Sequence, residues 1–589
     1  MRAGRERGLR APLRRRAGHR ARHRPDRLRG RLAARPHQPG RGPDRRPPLR
    51  AGRHREHGQR DRRPGARRGW RHGRRPRDAA GCRRRRADPR GDRRRRARHD
   101  QLRGHLRAAA PRDPPHGRRR DVSAALDAAR DALRGERAWV VGGAVRDRLL
   151  GRPLDDIDLV VDGDVRAAAR HLALQAGGPS FPLSDAHGAW RVHGPDRAWQ
   201  IDLAPLRDGT IEADLALRDF TVNAIAEPLQ GGPLLDPHGG AEDLVRRRLR
   251  MVGRASFPDD PLRVLRLARF ASELDLEPEP PTVAAAREHA PGIERVAAER
   301  VFAELRRIVA CDRPVEGLAL MEDLGLTARV LPELAALHGV EQNVFHDADV
   351  HDHTMTVLRR TCELQADPGA VLGEEHGAAL TAFLARPLSD ELTRGTALRF
   401  GALLHDIAKP ACQAVRDDGT VLGFPDHDRE GARLARAILE RLRTSDRLRT
   451  HVAALARHHL RLGFLVHHRP VERRRLHAYL VATGPVALDV TLLSVADRLA
   501  TTGRDAERSI AVHLELAREL LPAVRAWEDG DRPAPLVRGD ELAAALDLRP
   551  GPLLGELLAE LAAAGYAGEV TDRDGAVAHA RAWLAAREG

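Results

Sequence analysis

Two carboxylates set two residues apart, Asp156 and Asp158, open the β-rich run Ile157-Asp-Leu-Val-Val161. On a strand, positions i and i+2 share a face, so both carboxylates are expected to point the same way. Side by side they repel unless a cation sits between them, and hard oxygen ligands suit Mg²⁺. A third acid on a neighbouring strand would complete a two-metal site, and Asp202 in Gln200-Ile-Asp-Leu203 is the candidate. Just upstream, a β-run enters Gly142-Gly143 and then a helix. Free backbone N–H groups at that helix start could cradle a triphosphate, and glycine allows its close approach. The chemistry implied is metal-assisted phosphoryl transfer, one ion activating a hydroxyl and the other clamping the triphosphate. A second ligating set lies downstream, with His405-Asp406 adjacent on a helical run and His353 and Asp497 far away in the chain. Such a mixed imidazole–carboxylate cage suits a divalent transition metal.

These side chains need two kinds of scaffold. Residues 121–250 alternate short β-rich runs, Ala138–Val141, Ile157–Asp162, Trp190–His193 and Trp199–Leu203, with helical stretches. A first helix, capped by Ser123, would place Leu126, Ala129 and Leu133 on one face and end at Gly135. From Pro261 onward the pattern is helical, with breaks near Pro278–Pro281, Asp312–Pro314, Pro387 and Gly530–Pro535. Leu554, Leu557, Leu558 and Leu561 form an apolar packing face near the end. The expectation is an α+β protein in five parts: residues 1–120; an α/β head, 121–250; a helical neck, 251–340; a histidine–aspartate domain, 341–505; and a C-terminal helical module, 506–589.

Charge is unevenly spread over the 589 residues, whose formal net charge is +20. Residues 1–120 hold 45 Arg, no Lys and ten acids, with no Val, Ile, Phe or Tyr. That composition cannot bury enough apolar surface to offset the ordering entropy, so disorder is expected. It reads either as a basic RNA-binding arm or as G/C-rich sequence translated from a start placed too far upstream. The remaining 469 residues carry 58 basic and 73 acidic groups, a net of −15, so the catalytic body is acidic. Lys409 is the only lysine. No run of 18 apolar residues occurs, which argues against a membrane-spanning helix. Four cysteines without finger spacing and no apolar leader point to a reducing cytoplasm. Aromatics at 3% disfavour a stacking-based single-strand binder.

Over roughly residues 121–589 the sequence resembles the tRNA nucleotidyltransferase/poly(A) polymerase family of the polymerase-β-like superfamily, in its bacterial CCA-adding branch. Gly142–Asp158, including Gly143 and Arg146, looks like the family's metal and triphosphate motif. Arg218-Asp219-Phe-Thr-Val-Asn223-Ala-Ile-Ala226 looks like its nucleotide-sugar motif. Leu235–Gly240 with Asp243, Leu244 and Arg250 resembles the hinge joining head to neck. Asp259-Asp260-Pro-Leu-Arg263, continuing through Arg266 to Phe270, resembles the base-reading motif of the neck. Glu299-Arg300 with Glu304-Leu305 resembles the later neck helix. Asp260 and Arg263 fall at i, i+3 on a helix beginning near Pro261, where an acid and an arginine can select C or A without a template. Arg246, Arg247, Arg248, Arg250, Arg254, Arg266 and Arg269 would add a basic patch for the acceptor stem or triphosphate. The downstream set resembles the HD phosphohydrolase superfamily, with His353, His405, Asp406 and Asp497 as core ligands. His427 and one of His458 and His459, with His459 preferred, would extend it, and Lys409 would lie near substrate phosphate. The resemblance implies template-independent addition of C and A to the tRNA 3′ end from CTP and ATP, releasing pyrophosphate. A-only, CC-only or poly(A) addition and an HD-type phosphohydrolase are the alternatives.

Overall fold

The structure is a computed structural model describing residues 122–588, apart from 155, 185–187, 343–347, 419 and 504. The Arg-rich residues 1–120, with both readings given to them, lie outside the described residues.

The head opens with helix α1 (Val122–Ala132), whose Ala125, Ala129 and Ala132 are buried, and leads into β1 (Arg137–Val141). A short helix α2 (Gly143–Leu149) returns the chain to β2 (Ile157–Asp162). Helix α3 (Val165–Ala176) follows. Asp164 caps its start by accepting from the Arg166 and Ala167 amides, and Gly177 ends it in the left-handed conformation. Strands β3 (Ser180–Ser184), β4 (Ala189–His193) and β5 (Gln200–Pro205) come next, then α4 (Ile211–Ala216), β6 (Ala226–Pro228) and α5 (Gly240–Val245). The sheet order is β3-β4-β5-β2-β1-β6, with β2 and β5 parallel and the other neighbours antiparallel. β1, β2, β4 and β5 match the expected β-runs to within two residues, whereas β3 and the three-residue β6 had no clear alternating signature.

From α6 (Leu262–Leu274) the described chain is helical except for short two-stranded pairs. α6 packs against α7 (Ala298–Ala310) and α8 (Pro314–Asp323). Next come α9 (Val350–Ala366), α10 (Arg394–Leu404), α11 (His427–Arg441), α12 (Asp446–His458) and α13 (Ala487–Leu499). α10 touches α9, α12 and α13, and α11 pairs closely with α12. α14 (Ala506–Glu528) leads to α15 (Pro552–Ala567) and α16 (Arg573–Glu588). One continuous apolar core runs from Ala125 to Trp527, and a separate cluster around Leu542, Leu554, Leu557 and Leu561 holds the C-terminal helices. Leu558, expected on that buried face, is only partly covered. Arg473–Leu499 is long and apolar enough to cross a membrane, yet 72% of its apolar window is buried inside the fold, as for a core helix. The α+β architecture, with a mixed-sheet head followed by helices, is the one expected.

Candidate functional site

A cleft of about 580 Å³ lies where the head meets α6 and α7, and all twelve candidate residues of head and neck line it. The sheet register builds its floor. Pairing of β2 with β5 sets Asp158 opposite Asp202, and β1 places Val141 opposite Asp158 on the other side. Ile157 and Leu159 turn into the core while Asp158 opens into the cleft. Asp156 stands one residue before the strand rather than on it, and the Gln200 amide donates to its Oδ1 at 2.5 Å.

Crowding at the cleft base, then the Asp202 and Asp156 carboxylates, push the Asp158 carboxyl up to about 6, against the pull of Arg218 and Arg266. The side chain faces solvent in the cleft, so like-charge repulsion outweighs dehydration as the physical cause. Repelling carboxylates on one floor are the donor set a hard divalent cation requires. Asp202 is tied by a bidentate ion pair to Arg191 on β4, both bonds at 2.7 Å.

Gly142 sits at φ 67°, and a Cβ there would lie 2.9 Å from Arg218 Nη1 and 3.8 Å from Asp158 Oδ2. Its small size therefore makes room for the Arg218 guanidinium beside the carboxylates, a different reason from the triphosphate approach expected of it. Asp214, buried on α4, accepts from Arg218 and Arg207 and aims both arginines. Asp214 was missed, although its i, i+4 spacing to Arg218 was a readable signal.

The sugar-motif residues hold one another in a buried chain. Arg146 donates to Asn223 Oδ1 at 2.6 Å and to Asp147, while Asn223 donates to Asp219 at 3.0 Å. Asp219 also pairs with Arg266 at 2.7 Å. Burial alone would raise the Asp219 carboxyl, but Arg266, Asn223 and the Phe220 amide hold it below its usual range. Arg146 and Asp219 thus spend their polar groups on the wall, whereas Arg218, Arg263 and Arg266 remain partly open to the cleft.

The neck pair departs from expectation. Asp260 is in extended backbone, and α6 starts two residues later at Leu262, so the two are not neighbours on one helical face. Pro261 follows Asp260 and disfavours helical geometry there. Asp260 pairs with Arg300 at 2.9 Å, and Arg263 donates to the Ser256 and Leu217 carbonyls at 3.1 and 2.8 Å. Both still reach the same cleft.

The expected basic patch is corrected too. Arg246 pairs with Glu242, Arg247 with Asp275, Arg248 with Glu279, Arg250 with Asp243, and Arg269 with Glu304. Most of that charge fastens the junction and is not free to attract RNA.

A second pocket of about 270 Å³ holds the histidine–aspartate set. Its ligands come from helix ends: His353 from α9, His405 and Asp406 just past α10, His427 at the start of α11, His459 just past α12, and Asp497 near the end of α13. His353 Nε2 lies 3.0 Å from Asp497 and 3.8 Å from Asp406, and His405 Nε2 lies 3.1 Å from Asp406. His427 and His459 approach the other Asp406 oxygen at 3.4 and 3.7 Å.

Nδ1 of His405, His427 and His459 bonds the Ala402, Phe424 and Ala456 carbonyls at 2.8, 2.6 and 2.7 Å. A carbonyl only accepts, so each Nδ1 carries the proton and each Nε2 lone pair faces the cage. His405 Nε2, His427 Nε2 and Asp406 Oδ1 are buried with no hydrogen-bond partner, which is what metal ligands look like without the ion. Burial opposes charge on His405, but Asp406 and Asp497 hold its pKa above the usual range. Burial and His405 push His459 down to about 4. His459, not the half-buried His458, enters the cage. Lys409 is buried, with Nζ 2.7 Å from Asp406 and 2.9 Å from Gln342 Oε1.

Three family models match: the poly A polymerase head domain over residues 138–250, the probable RNA and SrmB-binding site of polymerase A over 275–337, and the HD domain over 350–502. The A-adding tRNA nucleotidyltransferase of Deinococcus radiodurans is 36% identical over 76% of this chain and 95% of its own. The chain belongs to the tRNA nucleotidyltransferase/poly(A) polymerase family. The CC-adding tRNA nucleotidyltransferase of Thermus thermophilus is 33% identical over 77% of this chain and 94% of its own. A multifunctional CCA protein of Xanthomonas campestris is 34% identical over 58% and 79%. The fold is also that of the Thermotoga maritima CCA-adding enzyme complexed with tRNA, at TM-score 0.51 and 19% identity over 82% of this chain and 98% of that one. As a family member the chain is a nucleotidyltransferase, and its polymerase head and HD domain both imply divalent-metal use.

Proposed function

We propose that this nucleotidyltransferase adds C and A, without a nucleic-acid template, to the tRNA 3′ end from CTP and ATP, in the cytoplasm. The observation that carries the reading is one cleft lined at once by Asp156, Asp158 and Asp202, the Gly142 turn, Arg218, and the neck residues Asp260, Arg263 and Arg266. Asp156 and Asp158, with Asp202 beside them, are the residues that would hold Mg²⁺, which supplies charge to neutralise the triphosphate and lower the pKa of the attacking hydroxyl. Arg218 and Arg266 balance negative charge at the same floor. Asp260 accepts from an exocyclic amine and Arg263 donates to ring acceptors, and each keeps bonding capacity beyond its present partners. The 3′ hydroxyl oxygen bonds to the α-phosphorus as the bond to the pyrophosphate breaks.

Single-base addition is the second reading, favoured by the A-adding and CC-adding relatives that match along nearly their whole length. The full chain, given tRNA lacking CCA, ending in C, or ending in CC and each triphosphate separately, tests both. Sequential C, C and A incorporation is expected; A without C moves the assignment to A-adding, and no incorporation with any tRNA refutes transfer. The HD cage would hold a divalent transition metal and add phosphate-ester hydrolysis, supported by its unpartnered Nε2 and Oδ1 atoms. Free Cys311, Cys362 and Cys412 agree with a reducing compartment.

A further inference from the structure

A third ligating cluster lies apart from both pockets, at the joint between the neck and the HD region. Glu322 comes from the end of α8, His338 from the turn that follows, and His351 from the first turn of α9. The backbone closes the joint, since the Val350 amide donates to the Val340 carbonyl at 3.1 Å and the Gly339 amide to Asp349 at 2.8 Å. The His338 and His351 rings stack with centroids 3.7 Å apart and planes 26° from parallel. His338 Nε2 is 3.6 Å from Glu322 Oε1.

One ligand atom from each of the three side chains falls within 4.8 Å of the other two. Tetrahedral ligands about 2.1 Å from a zinc-like ion stand roughly 3.4 Å apart, so a small closure brings the trio to ligation distance. Two buried polar atoms point to a missing partner: neither His351 Nδ1 nor Glu322 Oε2 has a hydrogen bond. Asp352 Oδ1, 3.7 Å from His351 Nδ1, is available for the fourth position.

We propose that Glu322, His338 and His351 bind a divalent transition metal of the zinc class, which fastens the neck to the HD region. Two imidazoles and a carboxylate are borderline donors that favour such ions over Mg²⁺. Bridging α8, the turn and α9, the ion acts as a staple between two helical regions, and it touches neither reaction site.

Metal content per chain is the test, measured by mass spectrometry after equilibration with Zn²⁺ in a chelating buffer. His338→Gln and Glu322→Gln replace partly exposed side chains, so neither empties the core. Each is expected to hold about one zinc fewer than wild type, or to weaken that zinc at least about tenfold. Asp406→Asn, which disables the HD cage, should keep the joint zinc. With Co²⁺ in the Asp406→Asn background, visible ligand-field bands should appear and vanish on adding His338→Gln. Wild-type zinc content in His338→Gln, or no zinc left in Asp406→Asn, overturns the proposal. Either result leaves the nucleotide-addition reading untouched, since none of the three side chains lines that cleft.

Discussion

Asp158→Asn should raise stability while destroying transfer. In the unfolded chain this carboxyl ionises near 3.8, but in the folded, metal-free protein it holds its proton up to about 6. The raised pKa means that ionisation opposes folding. The penalty is absent below the unfolded pKa, grows as pH rises from about 4 to 6, and is constant above. Taken whole, a shift of that size corresponds to about 3 kcal/mol. The side chain opens to solvent in the cleft, and screening cuts such effects severalfold, leaving about 1 kcal/mol. Thermal unfolding at pH 7.5 with EDTA should therefore show the variant more stable by about 1 kcal/mol, with about half that gain at pH 5 and almost none below pH 4. Mg²⁺ should reverse the order, stabilising wild type and not the variant, because the crowded carboxylates then have their cation. Nucleotide addition should fall at least about a thousandfold. A variant no more stable than wild type at pH 7.5 in EDTA, or equally stabilised at pH 4, would refute the like-charge account of the cleft floor.

Wild-type addition at limiting Mg²⁺ should rise with pH through about 6 as Asp158 loses its proton, and saturating Mg²⁺ should move that midpoint lower; a flat profile between pH 5 and 7 counts against it. Asp202→Asn should lower kcat at least about 100-fold with little change in tRNA affinity, and an unchanged kcat would remove Asp202 from the metal set. His405→Ala should abolish metal-dependent phosphatase activity and spare addition, with Asp156→Ala doing the reverse; loss of both activities in Asp156→Ala would end the two-site reading. Arg269→Ala strands the buried Glu304 carboxylate, 2.9 Å away, and should cost about 3 kcal/mol in unfolding free energy, part of which Glu304→Leu in the same chain restores.

What could be read in advance, and what could not, divides along sequence distance. The Asp156–Asp158 pair, the Gly142 turn and the His405-Asp406 doublet are local patterns, so their residue types already imply cation and phosphate chemistry. The pairing of β2 with β5 joins residues 44 positions apart, as Asp158 to Asp202 shows, and only that register converts a guess about a third acid into adjacency. Partner choice is less legible still. The arginines near residue 250 looked like an RNA-facing patch because their acids, Asp275, Glu279 and Glu304, lie a turn or a helix away in the chain but beside them in space. Asp260 and Arg263 failed as a helical pair for a local reason, the proline between them, which was visible and outweighs spacing. Among 29 histidines, composition alone could not rank His459 above His458. The deciding fact is that one ring bonds the Ala456 carbonyl and turns its Nε2 into the cage, while the other accepts from Arg461 at 2.9 Å. A ligand is therefore defined less by its residue type than by the second bond that orients it, and that bond is made by the fold.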